Sequence, residues 1–340
     1  MPAAAAAGAA SDAATLPLTA CVAEFHGTKL LCACYQLSEE TGARTGAMHA
    51  FDTAGGKLEE RAKAQGPEQG VPSGVFDAKW RPGDDDRPLV AAALADGTAA
   101  LHQLDDGRLV HLATSCAASD GGMALFCDWG GPDRVAVTSH AGSARILAVN
   151  DAGTLEPVCE WHAHDAEVWC SAFVGSGRDV LYTGADDAEL RAWDVRTGGE
   201  EPAMAFRDRR THGAGVTHVS PSPHDANVVL TGSYDESIRV WDARNAARPV
   251  ASLELATGGG VWRLKWHPRD TRVVLCALMY RGFGIARVDV PSSELSMAGY
   301  YEEHGKDMLA YGADWRADGA MVATCSFYDR LLHVWTPEVL

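Results

Sequence analysis

Short apolar runs rich in Val, Leu, Ile and Ala, bounded by Gly, Asp, Asn and Ser, recur along the 340-residue chain, and a helical period of 3.6 is sustained nowhere. The clearest stretch reads as four strands, Val216–Ser220, Val228–Gly232, Ile238–Asp242 and Pro249–Leu255. The segments between them, Ser-Pro-His-Asp, Tyr-Asp-Glu-Ser and Arg-Asn-Ala-Ala-Arg, are turn formers. Alternating β-branched positions between such turns predict an antiparallel meander.

The meander repeats. An Asp stands six residues before a Trp at Asp187/Trp193, Asp235/Trp241 and Asp329/Trp335, and Asp194 and Asp242 follow the first two Trp residues. Weaker copies at Phe51-Asp52, Leu104-Asp105, Val149-Asn150 and Val288-Asp289 extend the column to positions 51, 104, 149, 193, 241, 288 and 335, with spacings of 44 to 53. That spacing suits blades of about 40 to 45 residues with added loops. Seven marks predict an all-β, seven-bladed WD-repeat β-propeller, in which each sheet hides its two apolar faces against its neighbours. Residues 1–18, rich in Ala, are expected to be a disordered tail, with the single propeller over 19–340. Closure stays open: a piece near Thr15–Leu18 supplies the seventh blade's outer strand, or that blade has three strands.

Charge narrows the partners. The net charge is −17 and no run of Lys and Arg could neutralise a row of phosphates, so direct nucleic-acid binding is not expected. An acidic surface suits a cationic partner or serves solubility alone. The nine Cys are odd in number, sit mostly in apolar runs and show no zinc-type spacing, which predicts reduced thiols and a reducing, cytoplasmic location. No basic start precedes Lys29 and no apolar run reaches the ~18 residues of a membrane helix.

The familiar hydrolase, nucleotide and metalloprotease motifs are absent, so a site must be assembled from loops where the blades converge, at the mouth of the central channel. Neither metal nor cofactor is expected. His164, Thr183, Asp187 and Trp193 have the spacing of a buried hydrogen-bonded chain, repeated by His212, Asp235 and Trp241. The sixth blade departs from it, with Gly258-Gly259-Gly260 in place of a His-bearing loop and Gly282 in place of the turn Asp. Either the backbone there approaches a ligand closely, or the loop is a tight turn. His162, two residues before His164, is a candidate base or one half of a His-x-His metal pair with no third ligand fixed by spacing, and the alternative is an ordinary exposed His.

The blocks His162-Ala-His-Asp-Ala-Glu-Val-Trp169, Gly213-Ala-Gly-Val-Thr217, Gly258-Gly-Gly-Val-Trp-Arg-Leu-Lys-Trp-His-Pro268, Met279-Tyr-Arg-Gly-Phe283, Tyr311-Gly-Ala-Asp-Trp315 and Cys325-Ser-Phe-Tyr-Asp329 resemble the diphthine methyltransferase family of WD-repeat proteins. The resemblance covers roughly residues 20 to 337 and is strongest after 160. It implies a methylesterase of diphthamide biosynthesis, acting on the methyl ester of methylated diphthine on elongation factor 2. A non-catalytic WD-repeat scaffold for protein partners is the rival reading.

That implied substrate carries a trimethylammonium group, a cation without donors that aromatic faces hold well. Trp169, Tyr234, Trp262, Tyr280, Tyr311 and Tyr328 are aromatics at blade-loop positions and form the candidate cage, with core packing as the alternative for part of them. His162 or Glu167 is the candidate base acting on water, and the N–H groups of Gly258, Gly259, Gly260 and Val261 are candidate oxyanion donors. Asp186 and Asp314 are further polar candidates at the mouth. Ser326 is a candidate nucleophile whose strand position suggests burial.

Overall fold

Every predicted period folds as an antiparallel sheet, and seven sheets form a propeller. The computed structural model describes residues 5–83, 87–119, 121–150, 152–196, 201–245, 248–255, 259–305 and 308–338. The inner strands are Ala20–His26, Val75–Trp80, Ala124–Trp129, Val168–Val174, Val216–Pro221, Arg263–Trp266 and Ala310–Trp315. Each packs on the inner strands before and after it, the seventh on the first, which closes the ring around an axial channel. All seven marks fall in the third strand of their blade. In the fifth blade the observed strands are Val216–Pro221, Val228–Ser233, Ser237–Asp242 and Ala251–Glu254.

The expected tail is the main correction. Ala10–Thr15 pairs antiparallel with Leu331–Trp335 and becomes the outer strand of the seventh blade, so an N-terminal piece closes the ring, starting earlier than Thr15–Leu18 and sharing Thr15 with it. Ala5–Ala6 adds a parallel fifth strand to the sixth blade. Small residues conceal this from a pattern reading, because an Ala strand shows little alternation of apolar bulk. Backbone bonding carries the pairing instead. Residues 1–4 lie outside the described segments.

Two sets of bonds lock the blades. Indole N–H groups at the ends of inner strands donate to the preceding blade, from Trp80 to Glu24 O, Trp129 to Lys79 O, Trp266 to Ser220 O and Trp315 to Lys265 O, all at 3.0–3.2 Å. Within blades, the expected polar chain is present. His164 bonds Thr183 Oγ1 at 2.8 Å and Asp187 at 3.0 Å, and Trp193 Nε1 donates to the same hydroxyl at 2.9 Å. In the fifth blade His212 and Trp241 meet on Thr231, but Asp235 accepts instead from Gly213 N and Arg239, leaving His212 Nδ1 without a hydrogen bond among the described residues and 3.9 Å from Asp208. The seventh blade repeats the chain with His304, Thr324 and Trp335. Among the described residues no helix is long and apolar enough to cross a membrane.

Candidate functional site

One irregularity recurs around the axis. In six of the seven inner strands the pairing slips by one residue near the start, leaving Cys21, Phe76, Leu125, Trp169, Thr217 and Tyr311 as bulged residues. A bulge leaves its extra residue unpaired and re-aims its side chain. In the sixth blade Trp262 holds the corresponding place, directly before the strand Arg263–Trp266. All of these except Thr217, whose hydroxyl bonds Val261 O, line one cavity that opens to solvent. Tyr35, Phe327 and Arg263 complete its wall.

Aromatic rings form a continuous arc around this mouth. Trp169, Tyr234 and Trp262 lie within 5.9–6.3 Å of one another, centroid to centroid. Trp262 meets Tyr311 at 4.7 Å, Tyr311 meets Phe327 at 5.2 Å, Phe327 meets Tyr35 at 6.2 Å, and Tyr35 stacks on Phe76 at 4.5 Å. Tyr328 joins through Phe327 at 5.4 Å, and its ring, like that of Tyr280, is largely exposed. The arrangement thus brings together four of the predicted cage residues directly and places two on the rim.

The glycine loop serves this packing. A Cβ on Gly260 would stand 2.8 Å from Tyr234, and one on Gly259 would stand 2.9 Å from the Tyr280 ring. Their small size therefore makes room for two tyrosines. Val261 N–H donates to Ser233 O at 3.0 Å, so it is not an oxyanion donor, and Gly258 lies outside the described residues.

The acids sort by position. Asp186 accepts the Trp169 indole N–H at 3.1 Å, fixing that ring. Burial first, then the nearby Asp186 carboxylate, push the Tyr234 phenol up to about 12, so it stays a neutral donor. Glu167, half-buried at the rim, lies 3.3 Å from His140 Nε2. His162 is a correction: it belongs to the outer strand Leu155–His162 of the third blade, three strand spacings (~14 Å) from the inner strand, and its exposed ring meets Asp165. The period-two logic that paired it with His164 ignored that the chain leaves the strand at His162. Asp314 is likewise not at the mouth but deeper in the channel, accepting from Phe25 N at 2.7 Å. Ser326 is fully buried between His304 and Asp329, which removes it as a nucleophile. The Cys21 thiol faces the cavity but donates to Val75 O and Ala33 O, and burial pushes its pKa well up, so it stays protonated.

Below the aromatics the channel is charged. Lys79 bridges Glu24 at 2.8 Å and Asp77 at 3.3 Å, and Lys265 bridges Glu24 at 2.6 Å and Asp314 at 3.5 Å. Arg263 reaches across the axis to Asp77 at 3.4 Å. Burial opposes the charge on Glu24, but Lys265 and Lys79 overcome it and hold the carboxyl down to about 2. Among the described residues no three His, Cys, Asp or Glu side chains gather to hold a metal ion.

Comparison with known proteins follows the same lines. The model "WD domain, G-beta repeat" matches residues 155–194 and 206–242, the two most regular blades. A chain from the crystal structure of the mitotic checkpoint complex superposes with a TM-score of 0.75 over 95% of this chain and 90% of that one, at 17% identity, and supports the fold alone. Diphthine methyltransferase from Homo sapiens is 34% identical over 72% of this chain, and the Schizosaccharomyces pombe protein of that name is 29% identical over 88%. This chain belongs to the diphthine methyltransferase family of WD-repeat proteins. Its match spans 56% of the human relative's length and 88% of the fission-yeast one's. The mouth residues of this family member that the sequence did not reveal are Tyr35, Phe76, Leu125, Phe327, Arg263 and His140. A signal for some was present: Phe76, Leu125, Trp262 and Tyr311 each stand four residues before an inner-strand Trp, at 80, 129, 266 and 315.

Proposed function

We propose that this protein acts in diphthamide biosynthesis, hydrolysing the methyl ester of methylated diphthine on elongation factor 2. The observation that carries the reading is the convergence of Trp169, Trp262 and Tyr311 on one axial opening, with Tyr234 packed against the first two and Asp186 bonded to Trp169. A trimethylammonium group offers no hydrogen-bond donor and is held by ring faces and nearby negative charge, which this mouth supplies. The relatives' name supports diphthine as the recognised group.

In the proposed reaction a water attacks the ester carbonyl, its proton passes to Glu167, and the tetrahedral species expels methoxide, which leaves as methanol once protonated. His140, 3.3 Å from Glu167, orients the carboxylate and shares the proton. Asp186 is a positioning residue, since it acts through the Trp169 ring. An exposed rim carrying Tyr280 and Tyr328 meets the protein surrounding the modified histidine.

The test is direct incubation of purified protein with elongation factor 2 carrying the methyl ester. Methanol should appear, and the modified peptide should lose the mass of one methylene. Stable binding without that loss would leave the scaffold reading in its place.

A further inference from the structure

Two buried arginines in this molecule invite comparison. Arg191 and Arg263 expose the same 6% of their side chains. Arg191 is fully engaged: Nε donates to Glu189 at 2.7 Å, Nη1 to Ala163 O at 2.7 Å and Nη2 to Asp187 at 3.3 Å. Arg263 makes two contacts among the described residues, Nη2 to Asp77 and Nη1 to Trp262 O, each at 3.4 Å. Good charge-assisted bonds are about 2.7–2.9 Å. Asp77 cannot offer more, because it is shared with Lys79 at 3.3 Å and with the backbone N–H of Cys127 at 3.2 Å.

The remainder of the guanidinium lies against π faces, 4.9 Å from the Phe126 centroid and 5.4 Å from that of Trp262, and the residue lines the aromatic cavity. The neighbouring indole holds an idle donor. Trp262 is 7% exposed, and its indole N–H is buried without a partner among the described residues. A buried donor left unmatched is costly, so a cavity wall that holds one beside a guanidinium with only long bonds suits a ligand that brings acceptors.

We propose that Arg263, with Trp262 Nε1 as the second donor, receives a carboxyl oxygen at the foot of the mouth, so that the site takes a quaternary ammonium joined to a carboxylate or ester rather than an ammonium alone. This rests on the proposed ester hydrolysis only for the identity of the acyl group. In that reaction Arg263 stabilises the developing oxyanion and then holds the product carboxylate. Its positive charge does not repel the ammonium strongly, because Glu24, Asp77 and Asp314 balance Lys79, Lys265 and Arg263 in the channel below.

Binding to the full chain separates this receptor from the reaction. Tryptophan fluorescence or calorimetry with tetramethylammonium, with trimethylammonioacetate and with its methyl ester reads the preference without any elongation factor. Trimethylammonioacetate should bind ~10-fold or more tighter than tetramethylammonium, as a charge-assisted pair gives. Arg263→Gln should abolish that preference. Asp77→Asn, which frees the guanidinium from its ion pair, should keep or increase it. If Arg263→Gln does not fold, Arg263→Lys keeps the charge without the planar fork and should show a reduced preference. Equal binding of the two probes to the wild type, binding of neither, or a preference retained by Arg263→Gln overturns the receptor. A protein that prefers the carboxylate yet releases no methanol from the modified factor retains the receptor and loses the ester reading. An active protein without the preference does the reverse.

Discussion

The polar chains inside the regular blades and the mouth of the channel use the same residue types to opposite ends. In the fourth blade His164, Thr183, Asp187 and Trp193 close on one another, and Arg191 beside them is fully bonded. At the mouth Trp262 and Arg263 are buried too, yet among the described residues the Trp262 indole N–H has no acceptor and Arg263 has only long bonds of 3.4 Å. A satisfied network fixes a fold, whereas an unsatisfied one beside a cavity awaits a ligand. The contrast predicts that the two sets of residues fail in different assays.

The largest effect should come from the satisfied set. Trp241→Ala removes a ring that is 1% exposed and the donor to Thr231, and should lower unfolding free energy by about 3–5 kcal/mol in denaturant titration. Acid tests the regular blades through His212, whose burial, with Arg239 adding to it, holds its pKa down to about 4. The folded value lies below the ordinary one of ~6.5, so the unfolded chain takes the proton first. His212's contribution is whole above pH 6.5 and is lost as pH falls toward 4, amounting to about 2 kcal/mol at pH 5. His212→Gln should flatten that part of the stability profile measured between pH 7.5 and 5.

The mouth should respond in binding. Trp169→Ala should weaken a trimethylammonium ligand by ~10- to 30-fold, the worth of a desolvated cation–π contact. Asp186→Asn keeps an acceptor for the Trp169 indole but removes the charge, so affinity should fall only a few-fold and lose salt dependence. Tyr280→Ala, at a ring 59% exposed, should change affinity least and leave the melting temperature unmoved. If Tyr280→Ala costs more affinity than Trp169→Ala, the binding surface is the rim rather than the mouth.

The same contrast explains what the sequence could disclose. Trp193, Trp241 and Trp335 repeat because each blade needs the same internal bond, so the column was visible and the fold followed. Ala10–Thr15 pairs through backbone alone, with side chains too small to mark a strand. The mouth is built from one residue per blade, each free to differ, since neighbours across the axis are different residues. Trp169, Tyr234, Trp262 and Tyr311 could be named from the family resemblance and their chemistry, but their convergence needed the ring. Arg263 passed unnoticed because nothing in Trp-Arg-Leu-Lys-Trp says that one Arg faces an overcommitted Asp from the opposite blade. His162 misled because adjacency in sequence to His164 was read as adjacency in space.

The most direct measurement is an indole N–H spectrum of the ¹⁵N-labelled protein titrated with a peptide carrying the methylated diphthine. The resonances of Trp169 and Trp262 should shift together and saturably, while those of Trp193, Trp241 and Trp335 stay in place. Shifts confined to the latter three, or none at all under conditions where the peptide is bound, would contradict a ligand site at the axial mouth.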